Sequence, residues 1–254
     1  MKSYEADPLN RFSSRVDNYI KYRPGYPPEI IDFFKDTLNI IPESKIADVG
    51  SGTGIFSELL LKNNFTVFAV EPNHGMRKAA ENLLGRYPDF NSINGSAENT
   101  GLQVKSMDAI TSAQAFHWFN PDNTKAEFKR ILKENCYLAL IWNSRNNDAS
   151  PFMTGYEKLL LNLSIDYSFV NHTNINKETF DKFFSSYDKV IFPNKQTFDF
   201  EGLKGRLLSS SYAPDENSPG HVPMINSLEN LFRNYENNGT VDFIYDTEVY
   251  FGKL

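Results

Sequence analysis

Residues 48–54 read Asp-Val-Gly-Ser-Gly-Thr-Gly, directly after the apolar pair Ile46-Ala47. A strand that ends in an acid and breaks into alternating glycines predicts a loop whose backbone comes close to a bulky ligand, since glycine tolerates positive φ and has no Cβ. The spacing narrows the ligand. A dinucleotide loop, G-x-G-x-x-G, places its third glycine one position later, where the helix closes on the strand beneath a pyrophosphate. Here that position is Ile55, and the third glycine is Gly54. Asp48, two residues before Gly50, would repel a pyrophosphate and attract a cationic group. The helix expected next offers N–H groups and a partial positive charge to a carboxylate. The loop, with Gly50, Ser51 and Gly52, reads as a nucleoside-cofactor site; the bland alternative is a surface turn.

Thr66-Val67-Phe68-Ala69-Val70 is a β-branched and aromatic run of strand length that ends in Glu71. An acid closing the second strand, about 20 residues past the glycine loop, stands where a carboxylate accepts the two hydroxyls of a ribose. Pro72-Asn73 then opens a helix with Met76, Ala79, Ala80, Leu83 and Leu84 on one face. Met76, in the first turn, either packs or also touches a base. Met107–Thr111 is a fourth strand, followed by Ser112-Ala113-Gln114-Ala115-Phe116-His117-Trp118-Phe119. Carboxyl ends of parallel strands are where open α/β sheets bind ligands. His117 is either a general base or a residue that caps and orients its loop.

The chain has 254 residues, 40% hydrophobic and 23% charged, enough for one well-buried domain with a sizeable subdomain. The net charge of −6 argues against a nucleic-acid partner. Lys125, Lys129 and Lys133 recur at i+4 on one expected helix as a solvated face. A single cysteine, Cys136, allows no disulfide within the chain. No leader-like or membrane-length apolar run is present, so a cytoplasmic protein without membrane contact is expected. The four histidines are scattered, and no metal site is expected. Neither a G-x-S-x-G elbow nor a G-x-x-x-x-G-K-[ST] phosphate loop occurs.

Three segments are expected: residues 1–42 as N-terminal helices, 43–142 as the α/β core, and 143–254 as a substrate cap with strands returning to the sheet. The first segment contains a short helix, a proline elbow through Arg23-Pro24-Gly25-Tyr26-Pro27-Pro28, and a helix from about 28 to 38. In the last segment, helices are expected around Met153–Leu163, Phe180–Phe184, Leu203–Ser210 and Leu228–Phe232. Strands are expected at Val190–Phe192 and Thr197–Phe200 about a turn at Pro193-Asn194, and at Val241–Tyr245.

The D-x-G-x-G-x-G loop resembles motif I of the class I S-adenosylmethionine (SAM)-dependent methyltransferases. Phe116-His117-Trp118 after strand four, with the Tyr-x-x-x-Arg-Pro-x-Tyr-Pro elbow from Tyr19, resembles their type 11 branch, which includes trans-aconitate methyltransferase-like proteins. The resemblance covers residues 12–142 and only loosely the rest. It implies a Rossmann-like, seven-stranded mixed sheet of order 3-2-1-4-5-7-6, with strand seven antiparallel, helices on both faces and a C-terminal cap. It implies SAM as cofactor, residues 1–42 lying over the cofactor mouth, a small-molecule acceptor and in-line methyl transfer. Asp48, Gly50, Ser51 and Gly52, then Glu71, Pro72, Asn73 and Met76, would contact SAM. Ser96, Ala97 and Glu98 would receive adenine, although Glu98 also reads as a capping acid. Ala113 and Gln114 would meet the methionine end, and Tyr19 and Arg23 its carboxylate, unless Arg23 only stabilises its own elbow. Tyr22, Tyr26, Trp118 and Tyr212 would face the acceptor, with Phe116 in the same aromatic wall. The rivals are a nicotinamide dehydrogenase, a methyltransferase acting on nucleic acid or protein, and a non-catalytic SAM-binding regulator.

Overall fold

The computed structural model describes residues 21–165, 167, 177–210 and 212–254. Its centre is one seven-stranded sheet of order β3-β2-β1-β4-β5-β7-β6, as the resemblance implies. Helix α1 (Glu29–Asp36) precedes β1 (Lys45–Val49), α2 (Ile55–Leu61), β2 (Thr66–Val70), α3 (His74–Leu84), β3 (Phe90–Ile93) and β4 (Met107–Ala113). A 3-10 turn (Phe116–Trp118) leads to α4 (Pro121–Ile131) and β5 (Leu132–Arg145). Then come α5 (Pro151–Leu163), α6 (Lys177–Phe183), β6 (Ser186–Phe198), α7 (Phe200–Leu208), α8 (His221–Tyr235) and β7 (Val241–Lys253). Strands β1–β5 are mutually parallel where they pair, and β7 runs antiparallel between β5 and β6.

Both faces of the sheet are covered, which is why its central strands read as continuous apolar runs. Alternate residues serve opposite faces. Ile46, Val67, Ala109 and Ile141 pack against α1 and α2, and Ala47, Val49, Ile110, Leu138 and Trp142 pack toward α4 and α6. Ile30, Ile31 and Phe34 of α1 are fully buried in the first of these cores. The second helix of the 1–42 segment is therefore a structural layer of the domain. Asn73 and Asn120 cap α3 and α4 by accepting from the amides of Met76 and Asn123.

Three local expectations change. The turn at Pro193-Asn194 does not form, because β6 is one strand of 13 residues with Pro193 opposite Asp246. At the sheet edge a missing N–H breaks no second ladder, so proline is tolerated. Helix α4 ends at Ile131, which places Lys133 in β5, bonded to Asp108 at 2.6 Å, and not on the lysine row. Strand β5 also runs three residues past the boundary expected at 142, carrying Asn143, Ser144 and Arg145 on its tip.

Strands β6 and β7 outrun the rest of the sheet. Residues 245–252 of β7 pair with β5, whereas Val241–Ile244 pair with β6 alone and project as a two-stranded ribbon. An isolated ribbon is marginal in water. Here Phe198, Val241, Phe243 and Tyr245 pack with Met153, Tyr156 and Leu160 of α5, Leu203 and Leu207 of α7, and Leu228 of α8. That third core is the cap. It stands beside the carboxyl tip of β5, near the end of the sheet that carries the glycine loop.

Candidate cofactor and acceptor site

A cavity of about 390 Å³ opens at the carboxyl ends of β1, β2 and β4. The glycine loop forms its floor. Gly50 has φ +72°, and a Cβ there would lie 2.5 Å from the Ala115 Cβ, so only glycine lets the loop sit under the β4 segment. A Cβ on Gly52, at φ +57°, would have only the Met76 sulfur near it among the described residues, at 3.5 Å, so the loop leaves room for a ligand there.

Three carboxylates face this cavity. Asp48 is fully buried, accepting from Ser57 Oγ at 2.6 Å and Thr111 Oγ1 at 3.1 Å. Burial pushes its carboxyl up to about 6 against these two hydrogen bonds. Glu71 accepts from the Gly52 amide at 2.9 Å and the Asn73 amide at 2.8 Å, one on each oxygen. Burial raises it above its ordinary value, and the two amides partly offset that. Each oxygen keeps a lone pair for a further donor. Glu98 accepts from the Asn120 amide at 3.0 Å. Burial acts to raise it, but the hydrogen bonds it accepts, led by that amide, hold it below the usual carboxylate range. Glu98 thus lines the cavity while also binding the residue that caps α4.

Among the described residues, the lining contains no lysine, arginine or histidine. Ser51, Pro72, Asn73, Met76, Ser96 and Ala97 complete it around Glu71 and Glu98, and Ala113, Gln114, Trp118 and Tyr26 close the opposite side. Gln114 has φ +60°, costly for a non-glycine residue, while its amide bonds Ile141 O at 2.8 Å and its Nε2 bonds Asn143 O at 3.3 Å. The elbow is pinned on the far side: Asn143 Nδ2 donates to Gly25 O at 3.1 Å, and Asn143 Oδ1 accepts from Thr247 Oγ1 at 2.5 Å. Tyr26 reaches the cavity from that elbow and meets Phe56 edge-on at 4.9 Å.

The remaining expected site residues fall elsewhere. His117 is not among the lining residues; its ring lies 4.9 Å from that of Trp118, which is. Phe116 is 2% exposed and packs edge-on to Phe183 at 4.6 Å, in the core behind the cavity and not in an aromatic wall. The Tyr22 ring covers Gly205 of α7, where a Cβ would collide with it. Arg23 donates to Ser209 O at 3.1 Å. Tyr212 accepts from Arg145 at 2.9 Å. Tyr22, Arg23 and Tyr212 thus meet the cap, away from the cavity lining. Tyr19 lies outside the described residues.

Several cavity residues are not among the expected contacts, among them Thr53, Ile55, Phe56 and Phe119. Thr111, which holds Asp48, had a usable signal: β1 and β4 pair in parallel with Asp48 opposite Thr111. Among the described residues, no group of three or more histidine, cysteine or acidic side chains is placed to hold a metal. Nor, among them, is any helix long and apolar enough to cross a membrane.

Residues 47–140 match the methyltransferase domain family. An uncharacterized methyltransferase of Mycobacterium bovis is 34% identical over 137 residues, which cover 53% of this chain and 53% of that protein. An uncharacterized methyltransferase-like protein of Schizosaccharomyces pombe is 33% identical over 153 residues, covering 60% of this chain and 58% of that one. The chain thus spans a little over half the length of these curated relatives. A solved structure from Anaeromyxobacter dehalogenans, described as a candidate type II methyltransferase, superposes with a TM-score of 0.71 at 18% identity, over 91% of this chain and 98% of that one. In fold this chain is a class I, Rossmann-like methyltransferase sheet, and its residues 47–140 match the methyltransferase domain in sequence.

Proposed function

We propose that the protein is a SAM-dependent methyltransferase acting on a small molecule. The observation that carries the proposal is the lining of the cavity: three acids from successive strand ends and, among the described residues, no basic side chain. A pyrophosphate cofactor would be repelled there, whereas a ligand with an ammonium, a sulfonium and a ribose diol finds a partner for each. SAM, when bound, supplies a methyl group activated by its adjacent sulfonium.

The residues divide the binding among themselves. Glu71, its two oxygens held by backbone amides, receives the ribose hydroxyls. Ser96, Ala97 and Glu98 take the adenine edge, and Met76 its face. Asp48, Ser51 and Gln114 face the methionine end. Asp48 acts as an anion once a cation lowers its pKa. Tyr26, Trp118 and Phe119 exclude water and present ring faces to positive charge. Holding acceptor, methyl carbon and sulfur in line contributes up to about 7–11 kcal/mol toward lowering the barrier. His117 is given no proton-transfer step; it sets the turn that offers Trp118 to the cavity.

Calorimetric titration of the full chain with SAM, S-adenosylhomocysteine (SAH) and NAD tests this reading. Saturable binding of the first two and none of the third is expected; binding of NAD alone would reverse the assignment. Turnover of SAM to SAH with an acceptor separates an enzyme from a SAM-binding regulator.

A further inference from the structure

The cap buries two guanidinium groups in a single cluster. Arg145, at the tip of β5, is 12% exposed, and Arg206, on α7, is 4% exposed. Arg145 donates to Tyr212 at 2.9 Å, to Glu157 at 3.1 Å and to the Tyr167 hydroxyl. Arg206 donates to Tyr245 at 3.0 Å and to the hydroxyls of Ser210 and Ser209 at 3.1 and 3.5 Å. Arg23, from the elbow, reaches the same place through Ser209 O at 3.1 Å.

Among the described residues, positive charge and donors are in surplus here. Glu157 faces Arg145, and among the described residues Arg206 has no carboxylate partner. Tyr167 gives its proton to Glu157, and Tyr245 gives its own to Gln196. Arg145 Nε and the Tyr156 hydroxyl are buried without a partner among the described residues, and none is found there for Arg206 Nη2. A buried charge and buried donors left unmatched are each costly, and a ligand, ion or water that pairs with them removes that cost. The field is strong enough to act on a neighbour: burial would raise the Tyr212 phenol, but Arg145 and Arg206 bring it down to about 8.

The cluster adjoins the cofactor cavity through shared backbone. Gln114, which lines the cavity, bonds Asn143 O, two residues before Arg145 on β5. The elbow that sends Tyr26 into the cavity also lays Tyr22 on Gly205, beside Arg206. We propose that Arg145 and Arg206 form an oxyanion site, and that the methyl acceptor carries a carboxylate or phosphate group held there while its reactive end reaches the cofactor. The acceptor's part in this rests on the methyl-transfer reading; the anion site stands independently of it.

The test uses the full chain with succinate and inorganic phosphate as probes, and choline chloride as an ionic-strength control. Binding is read by calorimetry, with SAH titrated in parallel. One anion is expected to bind saturably, and which one it is separates carboxylate from phosphate. Arg206→Gln should weaken that binding at least tenfold, Arg206→Lys should restore part of it, and Lys195→Gln, on the exposed ribbon, should change nothing. SAH affinity should hold within twofold in all three. If Arg206→Gln does not fold, Arg145→Lys and Tyr212→Phe carry the same comparison. Absence of anion binding to the wild type, or equal binding to Arg206→Gln, overturns the site. Anion binding without SAH binding leaves the site standing and removes methyl transfer.

Discussion

The parallel half of the sheet and the cap handle buried polarity in opposite ways. At the tips of β1 and β2 the buried groups are acids, and among the described residues every hydrogen-bond donor to Asp48 and Glu71 is a hydroxyl or backbone amide already in place. In the cap the buried groups are cations whose donors, among the described residues, outnumber the acceptors around them. The first region is organised by backbone, so glycines and strand ends decide it. The second is organised by side chains from β5, α5, α7 and β7, brought together over long sequence separations. On the readings proposed above, the first region takes a cation and the second an anion.

The largest expected effect lies on the acid side. Glu71→Ala removes the acceptor of two buried amides along with the ribose partner. It should weaken SAM binding by about 3 kcal/mol, more than 100-fold, with circular dichroism unchanged. Asp48→Ala should lose a comparable amount. Unaltered calorimetric affinity in both would leave the contrast without its first term.

Next comes Gly50→Ala. It forces a side chain into positive φ and against Ala115, so it should cost about 2–3 kcal/mol and lower Tm by roughly 5–10 °C. A Tm within 1 °C of wild type, as an order-of-magnitude threshold, would show that the loop is not backbone-determined.

Asp48 gives the pH dependence. Its folded pKa, about 6, is raised from an ordinary 3.8. The folded state therefore holds this proton more tightly than the unfolded chain. The associated stability is fully present below about pH 4, is lost as pH rises through 6, and is absent above. At pH 7.5 the ionised group costs about 3 kcal/mol. Asp48→Asn should accordingly raise apo stability at pH 7.5 while weakening SAM binding. In the wild type, SAM affinity should fall by up to about tenfold per pH unit below 6. Affinity that stays flat between about pH 5 and 7.5 contradicts the assignment of Asp48 to a cation.

The smallest effect sharpens the cap side. Arg206 has no carboxylate partner to strand, so Arg206→Met should leave apo stability within about 1 kcal/mol of wild type, or raise it. A loss of several kcal/mol in urea denaturation would mean that Arg206 serves the fold and not a ligand.

Legibility in the sequence divides along the same line. The glycine loop, the run Thr66–Val70 closing in Glu71, and the strand Met107–Thr111 are local patterns whose chemistry is set within a few residues. All three lie where the spacing predicts, and the sheet order is the one the resemblance implies. The apparent turn at Pro193-Asn194 misled because proline marks a break in an interior strand but not at an edge, and edge position is a tertiary fact. Phe116 sits between cavity residues in the chain, yet its side chain turns into the core against Phe183, a partner 67 residues away. Arg206 did leave a trace: it stands with Leu203 and Leu207 on the buried face of α7, where a charge is out of place. Arg145 left none, since its setting is assembled from Tyr167, Tyr212 and Glu157, and only folding collects them.

The central claim is that the acid-lined cavity at the carboxyl ends of β1, β2 and β4 holds SAM. Its most direct test is the heat of SAH binding to the purified chain at pH 7.5, measured alongside Glu71→Ala. The account predicts one saturable site in the wild type and its loss in the variant, both proteins folded. No measurable heat from a folded wild type, or equal affinity in the two proteins, would contradict it.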